Sequence, residues 1–279
     1  MTSNAKFLRN PTIEIRKWTR LYGVFFSDAL AYKANAFIWL MTDAVPAFIM
    51  PLIWLSSFNG RSSIHGYTPS SMVIYYIAVL FLSSAVDSHV MWDMAADVKS
   101  GKFNTSLVRP YSYLLYCGAS NLSWRLMRTF MFVPLFAANL WAFHRWVHFT
   151  AAEYDFGWRF WLAIALGHIL SFSISYALGL VALWVIETQS LYHFYYLPLV
   201  ILNGQIAPLS FFPPALRHVA LFLPFNYTLG FPEQIFVRSI DSRLVELGFA
   251  VQIAWTLAAF GCALLLWRGG LRRYTAYGI

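Results

Sequence analysis

Charge is scarce in this chain: Asp, Glu, Lys and Arg make up 11% of its 279 residues, where soluble domains approach a quarter. That deficit excludes an ordinary soluble fold. Only two cysteines occur, Cys117 and Cys262, without CxxC spacing, so neither a disulfide framework nor a thiolate zinc site is indicated. None of the seven histidines combines HxxxH or HExxH spacing with acidic support, which removes the usual sequence basis for metal catalysis. No glycine-rich phosphate loop is present, so nothing here would cradle a nucleotide. The net charge of +8 comes without a basic stripe interleaved with aromatics, which argues against nucleic acid as a partner. What is abundant is apolar surface: 59% of residues are hydrophobic and 19% aromatic, the composition of an integral membrane protein whose rings settle at lipid interfaces.

Windows of about 20 apolar residues, long enough to cross a bilayer, fall at residues 36–58, 72–92, 126–147, 160–186, 191–209 and 244–267. They predict six transmembrane helices in an all-α protein. The fifth is interrupted by Pro198 and Asn203-Gly204. With the N-terminus inside, fourteen of the twenty cations fall on the cytoplasmic side, among them Lys6, Arg16, Lys99, Lys102, Arg109, Arg125, Arg128 and Arg272. The positive-inside rule then puts both termini in the cytoplasm. Residues 1–10 are polar and basic with no short apolar core before a cleavage site, so the first span is expected to act as an uncleaved signal anchor.

Three segments outside the spans or interrupting them carry information. Residues 12–33 place Ile13, Trp18, Leu21, Phe25 and Leu30 at roughly helical spacing among Arg16, Lys17 and Arg20, as in a helix lying on the membrane surface; the beginning of a long first span is the alternative. Residues 93–125 begin amphipathic, with Gly101 as a natural helix stop near Lys99. A short second helix over residues 104–108, closed by Arg109-Pro110, would lie across the cytoplasmic face, and a solvated connector explains the same residues as well. Residues 203–233 hold Pro208, Pro213, Pro214, Pro224 and Pro232 in an apolar setting. Proline removes a donor and disfavours helix before it, so a straight membrane helix is excluded. Half-helices at about 213–223 and 228–238 would form a re-entrant outer element over residues 210–240, since irregular backbone at membrane depth needs protein or a watery cavity around it.

Carboxylates in or beside spans cost at least about 2 to 3 kcal/mol, so Asp43, Asp87 and Glu187 call for partners or a polar cavity. Asp43 and Asp87, with Asn203, are candidates to line a pathway; Glu187 fits a hydrated cytoplasmic turn. Glu233, after Pro232, suits a helix N-terminus or a polar group at an outer gate. His168 with Gly167, Ser171, Ser173 and Ser175 marks a small, polar helix face of the kind used for close packing. A membrane-embedded transferase would need acids, bases or metal ligands clustered at one face; Asp93 and Asp97 come nearest and read more simply as a solvated face. An ion-driven transporter would favour paired broken helices, and one broken element is visible.

The run Val98-Lys99-Ser100-Gly101-Lys102 followed by Leu107-Val108-Arg109-Pro110 resembles the cytoplasmic loop of type-2 ABC exporter permeases. The series Asn203-Gly204, Pro208-Leu209, Pro213, Leu223-Pro224-Phe225 and Pro232 is similar to that family's re-entrant stretch, and the ending Trp267 to Tyr274 with Gly278 looks like the terminus of a bacterial branch in which two permeases are paired. The resemblance implies a single permease domain over 1–279 in a bacterial cytoplasmic membrane. It implies a coupling loop at 99–110 in which Lys99, Lys102, Leu107, Arg109 and Pro110 meet a separate ATPase, two copies of which hold the ATP and Mg. It further implies a second permease subunit, same or sibling, with membrane lipid around the pair, and an outer gate carrying Pro208, Pro213, Pro224, Pro232 and Glu233. The rings and methionines favour an amphipathic or hydrophobic cargo, drug-like or lipid-like; lipid-linked glycan is the alternative.

Overall fold

A computed structural model describes residues 19–20, 22–25, 27, 33–148, 153–185 and 187–274, without the side chains of 33–37 and 39–44. Helices dominate, and the one extended pairing among the described residues is an isolated bridge between Ile64 and Tyr67. In chain order the helices are α1 (Lys33–Phe58), α2 (Pro69–Val86), α3 (Val90–Lys99), α4 (Lys102–Leu107), α5 (Tyr113–Ala142), α6 (Trp158–Leu180), α7 (Gln189–Leu202), α8 (Pro214–Phe222), α9 (Gly230–Phe236) and α10 (Ser242–Arg273). Three apolar helical segments are long enough to cross a membrane: Pro69–Lys99, Trp158–Leu183 and Ser242–Arg273. The described part of α1 adds a shorter apolar stretch, Val45–Phe58. The chain is therefore a multi-pass helical membrane protein.

Helix α6 is the hub, packing against α2, α3, α9 and α10, while α2 also meets α1 and α5. Among the described residues the apolar core has two large parts and two smaller ones, around Phe132 and around Leu209. One large part gathers Tyr75, Leu82, Phe160, Leu170, Leu229 and Phe231 near the end of the bundle that carries α8 and α9, here called the hairpin end. The other large part gathers Met94, Phe103, Tyr113, Leu180 and Ala263 near α4, here called the loop end.

Several boundaries differ from the hydropathy windows, each for a local reason. The window 72–92 is interrupted: α2 stops at Val86 and α3 starts at Val90, leaving Asp87, Ser88 and His89 outside either helix. No proline or glycine marks this break. The freed amides are bonded instead by α6, where Ser171 Oγ accepts from Ser88 N at 2.9 Å and Ser175 Oγ from Met91 N at 3.0 Å. Close approach is permitted by Gly179, where any Cβ would press on the backbone of Met91. The polar face of α6 thus packs closely and also caps a broken neighbour.

The window 126–147 is displaced, because α5 begins at Tyr113 and ends at Ala142. Arg125, expected in the cytoplasmic loop, and Arg128, expected at the cytoplasmic end of the third span, lie inside α5 at 2% and 8% exposure, so neither contributes to a solvated basic loop. Arg125 donates to His89 Nδ1 at 2.7 Å, and Arg128 sits 5.2 Å over the Phe132 ring. The fourth window ends early, α6 giving way at Leu180 to a 3-10 turn, Val181–Leu183. The fifth, 191–209, yields only Gln189–Leu202. It stops where Asn203 Oδ1 accepts from Gln205 N at 3.0 Å, with Gly204 at φ +91, a conformation that glycine adopts without penalty.

The surface helix expected over 12–33 lies largely outside the described residues; 19–20, 22–25 and 27 within it are helical. Phe25 is buried, its ring edge-on to Tyr116 at 5.1 Å. Gly278 also lies outside the described residues.

Candidate functional site

The loop end is built on one buried ring. Gly101, in the left-handed region at φ +73, turns the chain between α3 and α4. That turn drives Phe103 inward to 0% exposure, edge-on to Tyr113 at 4.9 Å and to Tyr274 at 5.1 Å. Tyr113 in turn stacks on Trp267. Polar bonds close the frame: Tyr274 Oη donates to Asn104 Oδ1 at 2.7 Å and Tyr113 Oη to Asp97 Oδ2 at 3.1 Å. Lys102 pairs with Asp97 at 3.3 Å, and that carboxylate holds the ammonium above the usual lysine range.

The opposite side of this frame is bare. Leu107 and Val108 are 40% and 83% exposed, and Arg109 and Pro110 are exposed beside them. Arg109 donates to Tyr111 Oη at 2.6 Å, and Tyr111 stacks on Tyr116. The result is a short helix held rigidly on one side that offers two aliphatic side chains and a guanidinium on the other. Two expected contact residues are already engaged within the chain, Lys102 with Asp97 and Lys99 with Glu187 at 3.7 Å. The helix begins two residues before the expected position and ends at Leu107, because Gly101 supplies both the stop and the restart. Val108 is the more exposed of the two aliphatic side chains and escaped the motif reading, in which it stood as a spacer.

At the hairpin end, the interrupted backbone after α7 is bonded by α2. Tyr75 Oη donates to the Gly204 carbonyl at 2.7 Å and Tyr76 Oη to the Ile206 carbonyl at 2.6 Å. Gln205 Nε2 donates to Asp87 Oδ2 at 3.0 Å. Two phenols of α2 therefore satisfy two carbonyls of irregular chain, as backbone away from water requires, and the break after α2 holds the Gln205 side chain between them. Sequence reasoning missed both tyrosines; adjacent Tyr-Tyr in an apolar run carries no local signal of a partner 129 residues away.

Of the pathway candidates, Asp87 and Asn203 meet here through Gln205, and Asn203 is fully buried. Asp43 lies on α1, but its side chain is outside the described residues. The prolines act as helix boundaries: Pro208 precedes a 3-10 turn, Leu209–Phe211, Pro213 and Pro214 open α8, Pro224 follows its end, and Pro232 lies in the first turn of α9. Glu233, read as a cap or gate group, lies in the first turn of α9, whose N-cap is Leu229. It is 2% exposed, it interacts electrostatically with the phenols of Tyr67, Tyr75 and Tyr76, and among the described residues no donor reaches its Oε1.

Between the two ends, Ser88 Oγ donates to Asn121 Oδ1 at 3.1 Å, Asn121 Nδ2 lies 3.3 Å from His168 Nε2, and His168 Nδ1 lies 3.2 Å from the Val86 carbonyl. This order keeps the imidazole proton on Nδ1, because a carbonyl can only accept. The chain ties α2, α5 and α6 together at the Asp87–His89 break. It is a structural network with no nucleophile and base in line.

No curated protein matches the chain. Residues 44–278 match the model of the family described as ABC-2 family transporter protein, a span that includes the loop end, the α2 break and the whole proline-rich stretch. The chain belongs to the ABC-2 transporter family, whose members are membrane transport components.

Proposed function

We propose that this chain is the transmembrane permease subunit of an ATP-driven exporter. It works as a dimer with a like or sibling permease, and two copies of a separate ATPase bind the ATP and Mg. In this reading the chain crosses a bacterial cytoplasmic membrane six times, with both termini and the loop end inside and the hairpin end outside. The short helix α4 is the contact that receives the ATPase. The observation that carries this is the asymmetry of α4: Phe103 and Asn104 bind it to its own bundle, while Leu107, Val108 and Arg109 have no bundle to face. An aliphatic pair beside a guanidinium is suited to an apolar groove with a carboxylate at its rim.

The cargo is amphipathic or hydrophobic. At the hairpin end Phe211 packs against Trp54, His65 and Tyr67, a cluster that offers aromatic edges to a departing molecule. The test is co-expression with an ABC ATPase encoded beside it. Co-purification of the two, together with ATP hydrolysis that depends on this chain, is the expected result, and a chain that never associates with such an ATPase overturns the reading.

A further inference from the structure

We infer that α10 is the strut that carries movement of the loop end to the proline-rich hairpin, with Tyr274 and Gln252 as the positioning residues at its two ends. The inference rests on the reading of α4 as the ATPase contact. Its own support is the set of bonds that α10 makes, and these join the two ends of the molecule through a single element.

At the loop end, the last turn of α10 runs into the frame around Phe103. Trp267 lies edge-on to Phe103 at 6.1 Å and stacked on Tyr113. Tyr274, the residue closing the helix, donates to Asn104 on α4 at 2.7 Å. Any displacement of α4 therefore acts on α10 through a hydroxyl bond and two ring contacts, Phe103 with Trp267 and with Tyr274.

At the hairpin end, the same helix holds the hairpin by backbone carbonyls. Gln252 is fully buried, and its Nε2 donates both to Tyr227 O at 2.8 Å and to Ala163 O of α6 at 3.0 Å. Trp255 Nε1 donates to Phe222 O, the last residue of α8, at 3.1 Å. Phe231 of α9 lies so close to Gly248 that a Cβ there would collide with its ring. Thus α8, the Tyr227 turn and α9 are each attached to α10 within two turns.

The helix between these attachments is suited to transmission. It runs for 32 residues without proline, about 48 Å at the helical rise. Among the other long helices, α1 holds Pro46 and Pro51, α5 holds Pro134, and α2 gives way to α3; α6 is also free of proline but is shorter, 23 residues ending in a 3-10 turn. The buried positions of α10, Val245, Gly248, Gln252, Ala263 and Gly270, form one seam, and only 11% of its apolar window is buried. A stiff rod packed along one seam and free on its other faces can slide or tilt as a unit, the kind of movement that packed helices make in shear.

The test uses the full chain in complex with its ATPase, in a Cys262→Ser background because Cys262 is exposed and Cys117 buried. A cysteine replaces exposed Arg217 on α8, and its reaction with an impermeant maleimide is timed with and without ATP and vanadate. The wild-type background should change its labelling rate about fivefold or more on nucleotide trapping. Tyr274→Phe, which removes one hydroxyl, and Gln252→Leu, which keeps the volume, should bring that ratio close to one while ATPase association and hydrolysis persist. Asn104→Asp keeps an acceptor for Tyr274 and should behave as wild type. A ratio that survives both substitutions in an intact complex overturns the strut and leaves the permease reading standing. A wild-type chain that never binds the ATPase overturns that reading and the strut with it.

Discussion

Tyr75 and Gly204 stand 129 residues apart in sequence and 2.7 Å apart in space, the phenol donating to a carbonyl that its own segment leaves without a helical partner. With Tyr76 and Ile206 beside it, this bond explains how an apolar stretch carrying a glycine at positive φ and a run of prolines persists inside a membrane protein. The backbone is interrupted because α2 supplies what the helix would have supplied.

Removing one of these hydroxyls should expose the cost. Tyr75→Phe leaves the buried Gly204 carbonyl without its donor and should destabilise the purified protein by about 1 to 2 kcal/mol, with Tyr76→Phe similar. Thermal unfolding in detergent, followed in a Cys262→Ser background by the fluorescence of a thiol dye at buried Cys117, measures it. An unchanged midpoint for both variants would show that water satisfies these carbonyls.

The break between α2 and α3 gives an internally controlled set. Ser171 and Ser175 accept from the amides of Ser88 and Met91, whereas Ser173 bonds the Ile169 carbonyl of its own helix. Alanine at 171 or 175 should cost about 1 kcal/mol each, and alanine at 173 close to nothing. Equal effects at all three positions would reduce the serines to general helix packing.

At the crossing of α9 and α10, Gly248→Ala should destabilise by about 1 to 3 kcal/mol through overpacking against Phe231. Phe231→Leu in the same chain should recover part of that loss, a coupling that a double-mutant cycle reads directly. Additive effects would separate the two residues.

The hairpin offers a test of orientation. A cysteine at exposed Ala215 should react with an impermeant thiol reagent from outside the cell only, and one at Leu229, which is 0% exposed, should react from neither side. Labelling of Ala215 from the cytoplasm would invert the proposed topology.

The parts of this fold that were legible from sequence are those whose cause is local. Continuous apolar runs mark α6 and α10, Gly101 marks the turn into α4, and the spacing of Pro213, Pro214, Pro224 and Pro232 marks two short helices. The illegible parts are compensated from far away. Asp87-Ser88-His89 contains no helix breaker, and its break exists because α6 presents hydroxyls 83 and 84 residues further on. Arg125 and Arg128 read as solvated cytoplasmic cations because charge predicts solvent, yet both lie buried on α5, received by His89 and the Phe132 ring. At the candidate site the motif points to the right loop but not to the division of labour within it. Whether Lys102 reaches outward or back to Asp97 depends on the turn at Gly101, and the exposure of Val108 depends on Phe103 having taken the buried face.

The permease reading turns on whether the bare side of α4 receives an ATPase. Arg109→Glu reverses the exposed guanidinium there without touching Phe103, Asn104 or the Lys102–Asp97 pair. In vesicles containing the chain and its ATPase, the account predicts cargo moved per ATP hydrolysed to fall about tenfold or more, the loss expected for a charge-assisted contact of roughly 1.5 to 3 kcal/mol, with the protein still folded in the membrane. Unchanged transport together with unchanged chain-dependent ATP hydrolysis would contradict it.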